Sequence, residues 1–205
     1  FAWDGSAWAQ RGLHIDGEAP GDESGSSVAL SADGSVLAIG APGNDAGAED
    51  RWYGCDDYYG HVRVFRWTGE TWEQLGDDID GEQECSSSGR AVSISADGTV
   101  VAIGAPGNDG RDTTNAGHVR VVSWTGAEWA QLGTDIDGEA EEDESGSAVS
   151  LSGDGRVLAI GAQFNDAEGS ENDWWGHVRV YVWNDLNEDW EQRGDDLDGE
   201  AKWDQ

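Results

Sequence analysis

The sequence predicts an all-β fold, a β-propeller of four-stranded antiparallel blades, with about three blades plus a partial one in an incomplete ring. Three observations predict it. One phrase, W-x-Q-x-G-x-x-[IL]-D-G-E, recurs from Trp8, Trp72, Trp129 and Trp190, spaced by 64, 57 and 61 residues. Apolar residues between its copies alternate or form short runs, and no segment carries a 3.6-residue stripe. Each full copy also repeats S-G-x-x-V-x-[LI]-S-x-D-G, a run ending I-G-A, an N-D pair and G-H-V-R-V-x-x-W. Units of four strands repeated head to tail need cover on both faces, and a propeller supplies it by stacking them around a channel. A β-solenoid is the alternative, but its rungs are usually shorter than this unit.

The elements follow in order within one copy. Val28 and Leu30, Val92 and Ile94, and Val149 and Leu151 alternate with small residues, the pattern of a half-buried first strand. Ala32-Asp33-Gly34, Ala96-Asp97-Gly98 and Gly153-Asp154-Gly155 form tight hairpins in which Gly supplies a positive φ. The second strand, from Val36, Val100 and Val157 to Ala41, Ala105 and Ala162, is apolar without alternation and is expected to be buried on both faces. A third strand runs His61 to Trp67, His118 to Trp124 and His177 to Trp183. Thr68-Gly69 and Thr125-Gly126 then turn into a short fourth strand, Trp72 to Leu75 and Trp129 to Leu132.

In this frame residues 1–18 end a preceding blade, 19–82, 83–139 and 140–200 are blades, and 201–205 are a linker. Phe1 to Trp8 lines up with Phe65 to Trp72, so the sequence opens late in a third strand. The chain has no methionine. The remaining blades are expected from the same longer chain or from copies associating head to tail.

Charge restricts the partners. Asp and Glu number 43 against 11 Lys and Arg, a formal charge of −32. Nucleic acid is excluded because phosphates need neutralising cations, and anionic membrane surfaces are disfavoured for the same reason. No apolar run approaches the roughly 20 residues that span a bilayer, so membrane insertion is not expected.

Gly25-x-x-Val28 through Gly40-Ala41-Pro42, Gly89-x-x-Val92 through Gly104-Ala105-Pro106, and Gly146-x-x-Val149 through Gly161-Ala162-Gln163 resemble the FG-GAP repeats of integrin α-subunit propellers. The resemblance covers most of the chain and implies an extracellular or cell-surface propeller for adhesion or ligand binding. It departs where the FG phenylalanine is Ser24, Ser88 and Ser145, and where Gln163 replaces the last proline. The family's calcium loop is shortened here to Ala-Asp-Gly, so its calcium sites do not carry over.

Residues present in every copy more often serve the blade than a site. His61, His118 and His177, each two residues before Arg63, Arg120 and Arg179, are therefore read as polar groups buried between blades beside repeated Asp, and Trp72, Trp129 and Trp190 as blade packing. Asp78, Asp80 and Glu82, Asp135, Asp137 and Glu139, and Asp196, Asp198 and Glu200 each place three carboxylates in five residues, the hard oxygens calcium prefers. With Asn108 and Asp109, and the equivalent N-D pairs, they are candidate Ca2+ ligands.

The repeat breaks between the second and third strands. There Arg51, Trp52, Tyr53, Tyr58 and Tyr59 in the first copy, and Trp174 and Trp175 in the third, are candidate contacts for a glycan or protein ligand. Covering one another is the alternative role for these rings. Cys55 and Cys85 fall on the same side and are read as a disulfide, implying an oxidising compartment. A non-enzymatic binding or adhesion module is the leading expectation. One rival is the propeller portion of a polysaccharide-active hydrolase or lyase using unrepeated acids such as Asp56, Asp57, Glu168 and Glu171. The other is a passive acidic scaffold.

Overall fold

The computed structural model describes residues 1–45, 58–109, 114–166 and 174–200. Its order begins with a hairpin, β1 (Ala2–Trp3) and β2 (Trp8–Ala9). The first blade holds β3 (Ser27–Leu30), β4 (Val36–Ala41), β5 (His61–Trp67), β6 (Trp72–Gln74) and β7 (Ile79–Asp80). The second holds β8 (Ala91–Ile94), β9 (Val100–Ala105), β10 (His118–Trp124), β11 (Trp129–Gln131) and β12 (Ile136–Asp137). The third holds β13 (Ser145–Leu151), β14 (Val157–Ala162), β15 (His177–Asn184), β16 (Asp189–Gln192) and β17 (Leu197–Asp198). Every pairing between strands within a blade is antiparallel and runs first to fourth strand in order, with two isolated parallel bridges, Gly60 to Ser88 and Gly117 to Ser145, between blades. The described residues are all-β and propeller-like, with sheets that do not close on one another.

The fourth strand differs from its expected form. It is broken in two, and both halves pair with the third strand: β6 beside Phe65 to Trp67, then β7 with Ile79 opposite Val62 and Asp80 opposite His61. Ile79 and Asp80 are therefore strand, and Asp78 leads into it. Ile79 is buried while Asp80 is exposed, which is the period-two pattern on a scale too short to register in the sequence.

The apolar core lies between blades. Val36, Val62, Val64 and Ile79 of the first blade pack with Ile94, Val101, Ile103 and Val122 of the second. Val119, Val121 and Ile136 of the second pack with Leu151, Leu158, Ile160, Tyr181 and Trp190 of the third. Small residues in the second strand let the sheets approach: a Cβ on Gly104 would overlap the carbonyl oxygen of Gly146 in the next blade. At the hairpins, Ala32 N donates to Ala96 O at 2.9 Å and Ala96 N to Gly153 O at 2.8 Å, so successive turns are tied edge to edge. Within each hairpin an Asp caps its own turn, as Asp97 Oδ1 does by accepting from Ser95 Oγ at 2.6 Å and Thr99 N at 3.0 Å.

Two faces lack such a neighbour. Val178 and Leu197 on the third blade are 37% and 61% exposed, whereas their equivalents Val62 and Ile79 are 0% and 8%. At the other end Leu30 is 58% exposed against 8% for Ile94.

Candidate functional site

Each blade joint is built from the end of one repeated phrase and the start of the next blade's third strand. The Arg two residues after the His reaches back to the preceding D-G-E. Arg63 Nη2 donates to Asp16 O at 2.7 Å, Arg179 Nη2 to Asp137 O at 2.8 Å, and Arg120 Nη1 to Asp80 O at 3.3 Å. Nη1 of Arg63 and of Arg179 lies 3.6 Å from Oε1 of Glu18 and of Glu139 respectively. Arg120 contacts Glu82 and places its Nε 3.4 Å from Asp135 Oδ1. The guanidinium groups of Arg63 and Arg179 also lie over the Phe65 and Tyr181 rings, 5.5 and 5.6 Å from the centroids.

The histidines sit where these acids meet. His61 Nδ1 is 4.0 Å from Glu18 Oε2 and 3.9 Å from Asp78 Oδ2, and His177 Nδ1 is 4.0 Å from Glu139 Oε2 and 3.8 Å from Asp196 Oδ2. In the middle joint Glu82, His118 and Asp135 form the equivalent group. Burial pushes the His118 imidazole below its ordinary pKa, against the opposing pull of Asp135 and Asp137. The glutamine of the repeated phrase fixes each aspartate: Gln74 Nε2 donates to Asp78 Oδ1 at 2.6 Å, Gln131 to Asp135 at 3.0 Å and Gln192 to Asp196 at 2.6 Å.

Two adjoining clefts open at the joint between the first and second blades. One, of about 820 Å³, is lined by Glu82, Gln83, Asn108, Asp109, His118, Gln131, Thr134, Asp135 and Asp137. The other, of about 500 Å³, shares Glu82, Gln83 and Asp109 and adds Tyr59, Glu84, Cys85, Thr114 and Asn115. Asp109 is held by Asn115 N at 2.8 Å and Gln83 Nε2 at 3.2 Å, and Tyr59 Oη donates to Glu84 Oε1 at 3.2 Å.

The structure therefore gathers Glu82, Asn108, Asp109, Asp135 and Asp137 in one place, and Tyr59 beside them. It does not gather the three acids of one D-x-D-G-E segment. Asp78 faces the joint before its blade, Glu82 faces the joint after it, and Asp80 offers its backbone carbonyl to Arg120. Glu139 likewise belongs to the His177 joint, apart from Asp135. His118 is buried beside Asp135, as the sequence reading expected, and it also lines the larger cleft, a role that repetition did not suggest. Its position opposite Asp137 in the β10–β12 ladder would have placed it there.

The aromatic candidates separate. Tyr58 and Tyr59 are half-buried in the first blade. In the third, the Trp174 ring stands edge-on to Phe164 at 5.6 Å, and its backbone N–H donates to Asp166 Oδ1 at 2.9 Å. Trp175 lines a different cleft of about 330 Å³ on the open face, with Ala148, Gly161, Val178 and Leu197. Cys85 is disulfide-bonded. Arg51, Trp52, Tyr53 and Cys55, and the acids Asp56, Asp57, Glu168 and Glu171, lie outside the described residues. Among the described residues no helix is long and apolar enough to cross a membrane.

No family model matches the chain, and no curated protein does. Solved structures do. A Bacteroides uniformis protein provisionally described as a 6-phosphogluconolactonase is 13% identical with a TM-score of 0.51, over 85% of this chain and 40% of that one. Sqt1 of Saccharomyces cerevisiae is 15% identical with a TM-score of 0.51, over 90% of this chain and 38% of that one. The chain thus spans about two fifths of the length of these structures. At such identities the likeness concerns the fold, and it is the propeller-like fold described above.

Proposed function

We propose that the chain is a non-enzymatic binding module of FG-GAP type, working outside the cell or on its surface, and that it recognises a neutral or cationic glycan. The observation that carries this reading is the convergence of Glu82, Asp109, Asp135 and Asp137 with Gln83, Asn108 and Tyr59 along two adjoining clefts at one joint. Carboxylate and carboxamide groups side by side suit the paired donors and acceptors of sugar hydroxyls, and a tyrosine at the edge gives an apolar ring face a partner. Among the described residues the linings of both clefts are acidic and carry no Lys or Arg, which disfavours sulfated or phosphorylated ligands. Calcium enters as the hard cation that Asp109 and Asp137, the cleft acids Arg120 does not reach, would hold beside the hydroxyls. The disulfide at Cys85 supports an oxidising location. Further blades, of the same longer chain or of a second copy, are the partners for the open blade faces.

The test is retention on an array of neutral, basic and acidic glycans, with calcium and with chelator, followed by a search for cleaved product. Glu82→Gln with Asp109→Asn, and separately Tyr59→Ala, should each weaken retention at least tenfold. Retention unchanged in these variants would refute the cleft, cleavage of the retained glycan would refute the non-enzymatic reading, and retention of acidic glycans alone would refute the ligand class.

A further inference from the structure

We propose that the His61 and His177 joints are metal sites, each holding one divalent cation of the zinc type between two blades. The ligands are His61 Nδ1 with Glu18 and Asp78, and His177 Nδ1 with Glu139 and Asp196. This assignment does not depend on the glycan reading, which concerns the middle joint.

The distances carry it first. Separations of 3.8 to 4.0 Å between imidazole nitrogen and carboxylate oxygen are too long for a hydrogen bond. They lie near the roughly 3.3–3.6 Å that separates neighbouring ligands around a tetrahedral ion with bonds of about 2.0–2.2 Å. The excess is a few tenths of an ångström, within the reach of side-chain rotation in the half-exposed Glu18 and Glu139 and the partly exposed Asp78 and Asp196.

The histidines point independently to a missing partner. The side chains of His61 and His177 are each only 2% exposed. Among the described residues Nδ1 of each ring looks into the carboxylate pair, its nearest carboxylate oxygens 3.8 to 4.0 Å away and outside hydrogen-bond reach. A buried polar ring left so is costly unless something else binds it.

The outer sides of the ligands are already held, as metal-binding groups usually are. Asp78 and Asp196 spend Oδ1 on Gln74 and Gln192, leaving Oδ2 facing the histidine. Glu18 and Glu139 turn Oε1 toward Arg63 and Arg179, leaving Oε2 inward. One imidazole with two carboxylates suits a borderline cation better than calcium, and three protein ligands leave a fourth position for water. The middle joint supplies the contrast. It has the same three residue types, but the Arg120 guanidinium reaches both Glu82 and Asp135 and stands where a cation would.

The full chain, stripped with chelator, is titrated with Zn2+ by calorimetry in excess calcium, its stoichiometry is read by native mass spectrometry, and Co2+ serves as a visible probe of geometry. One zinc ion per proposed joint is expected, with tetrahedral Co2+ absorption. Glu18→Gln and Glu139→Gln should each remove one ion and halve the Co2+ band, Asp78→Asn and Asp196→Asn should do the same, and Glu82→Gln should remove none. Circular dichroism of each metal-free variant confirms that it is folded. Absence of zinc binding in calcium, or folded Glu139→Gln and Asp196→Asn variants that keep every ion, would overturn the proposal.

Discussion

The indole nitrogen of Trp129 donates a 2.7 Å hydrogen bond to the carbonyl of Leu75, 54 residues earlier and one blade back. Trp190 does the same to Leu132 at 2.9 Å, and Trp72 to Arg11 at 3.2 Å. Each also tilts against the last Trp of its own third strand, with ring centroids 5.4 to 5.5 Å apart. Trp129→Phe keeps most of the packing and removes the donor. A loss of about 1 kcal/mol is expected, read as a melting temperature lower by roughly 2–4 °C. Trp8, which is exposed, should tolerate Phe with less than about 0.5 kcal/mol of change.

The arginine reaching across a joint acts mainly through groups that water cannot serve. Arg179 donates to Asp137 O and, at 3.2 Å, to Ser145 Oγ, while Glu139 is half exposed. In chelator, Arg179→Met should therefore cost about 1.5–3 kcal/mol, and Glu139→Gln under about 1 kcal/mol. Urea midpoints measure both. Equal losses would place the energy in the ion pair instead.

Much of this was legible in the sequence. The repeat located all three long strands of each blade, because hairpins such as Ser95-Ala96-Asp97-Gly98 and apolar runs such as Val100–Ala105 are local signals. Partners across a joint were not legible. Arg120 and Asp80 are 40 residues apart, and in a repeated sequence nothing says which copy of D-G-E meets which arginine. For the same reason Asp78 and Glu82, four residues apart, read as one carboxylate cluster, although the β-strand between them sends them to opposite joints. The histidines, read as polar groups buried between blades beside repeated Asp, are found buried beside Asp78, Asp135 and Asp196.

The hairpin aspartates give the fold an acid limit. Hydrogen bonds, led by the Ser95 hydroxyl, hold the Asp97 carboxyl below its ordinary pKa of 3.8. A group whose folded pKa is depressed stabilises above its unfolded pKa, and that contribution is lost as pH falls through the folded value. Asp97→Asn should thus lower the urea midpoint at neutral pH, and the difference should shrink as pH falls below the ordinary carboxylate value and through the lower folded one. A constant difference across that range would show that the charge is irrelevant to the turn.

The open faces predict association between copies of these 205 residues studied on their own. Leu197 and Val178 would meet, in a second chain, the exposed Leu30 edge of its first blade, as Ile136 and Val119 meet the third blade here. Sedimentation velocity should show larger species as concentration rises, and Leu197→Asp should suppress them without lowering the melting temperature of the dilute protein. A distribution indifferent to Leu197→Asp would remove this face as the contact.

Gly104 and Gly161 occupy the same place in the same I-G-A phrase but face different surroundings. A Cβ on Gly104 would run into the Gly146 carbonyl of the next blade, whereas on Gly161 its nearest neighbour is the Ala148 side chain at 3.3 Å. Stacked blades joined through their second strands therefore predict opposite results from one substitution, measured as the melting temperatures of Gly104→Ala and Gly161→Ala at low concentration. Gly104→Ala should destabilise by about 3 kcal/mol, because backbone rather than a side chain must move, and Gly161→Ala should stay within about 1 kcal/mol of the parent protein. Equal effects at the two positions would contradict the joint on which the whole account rests.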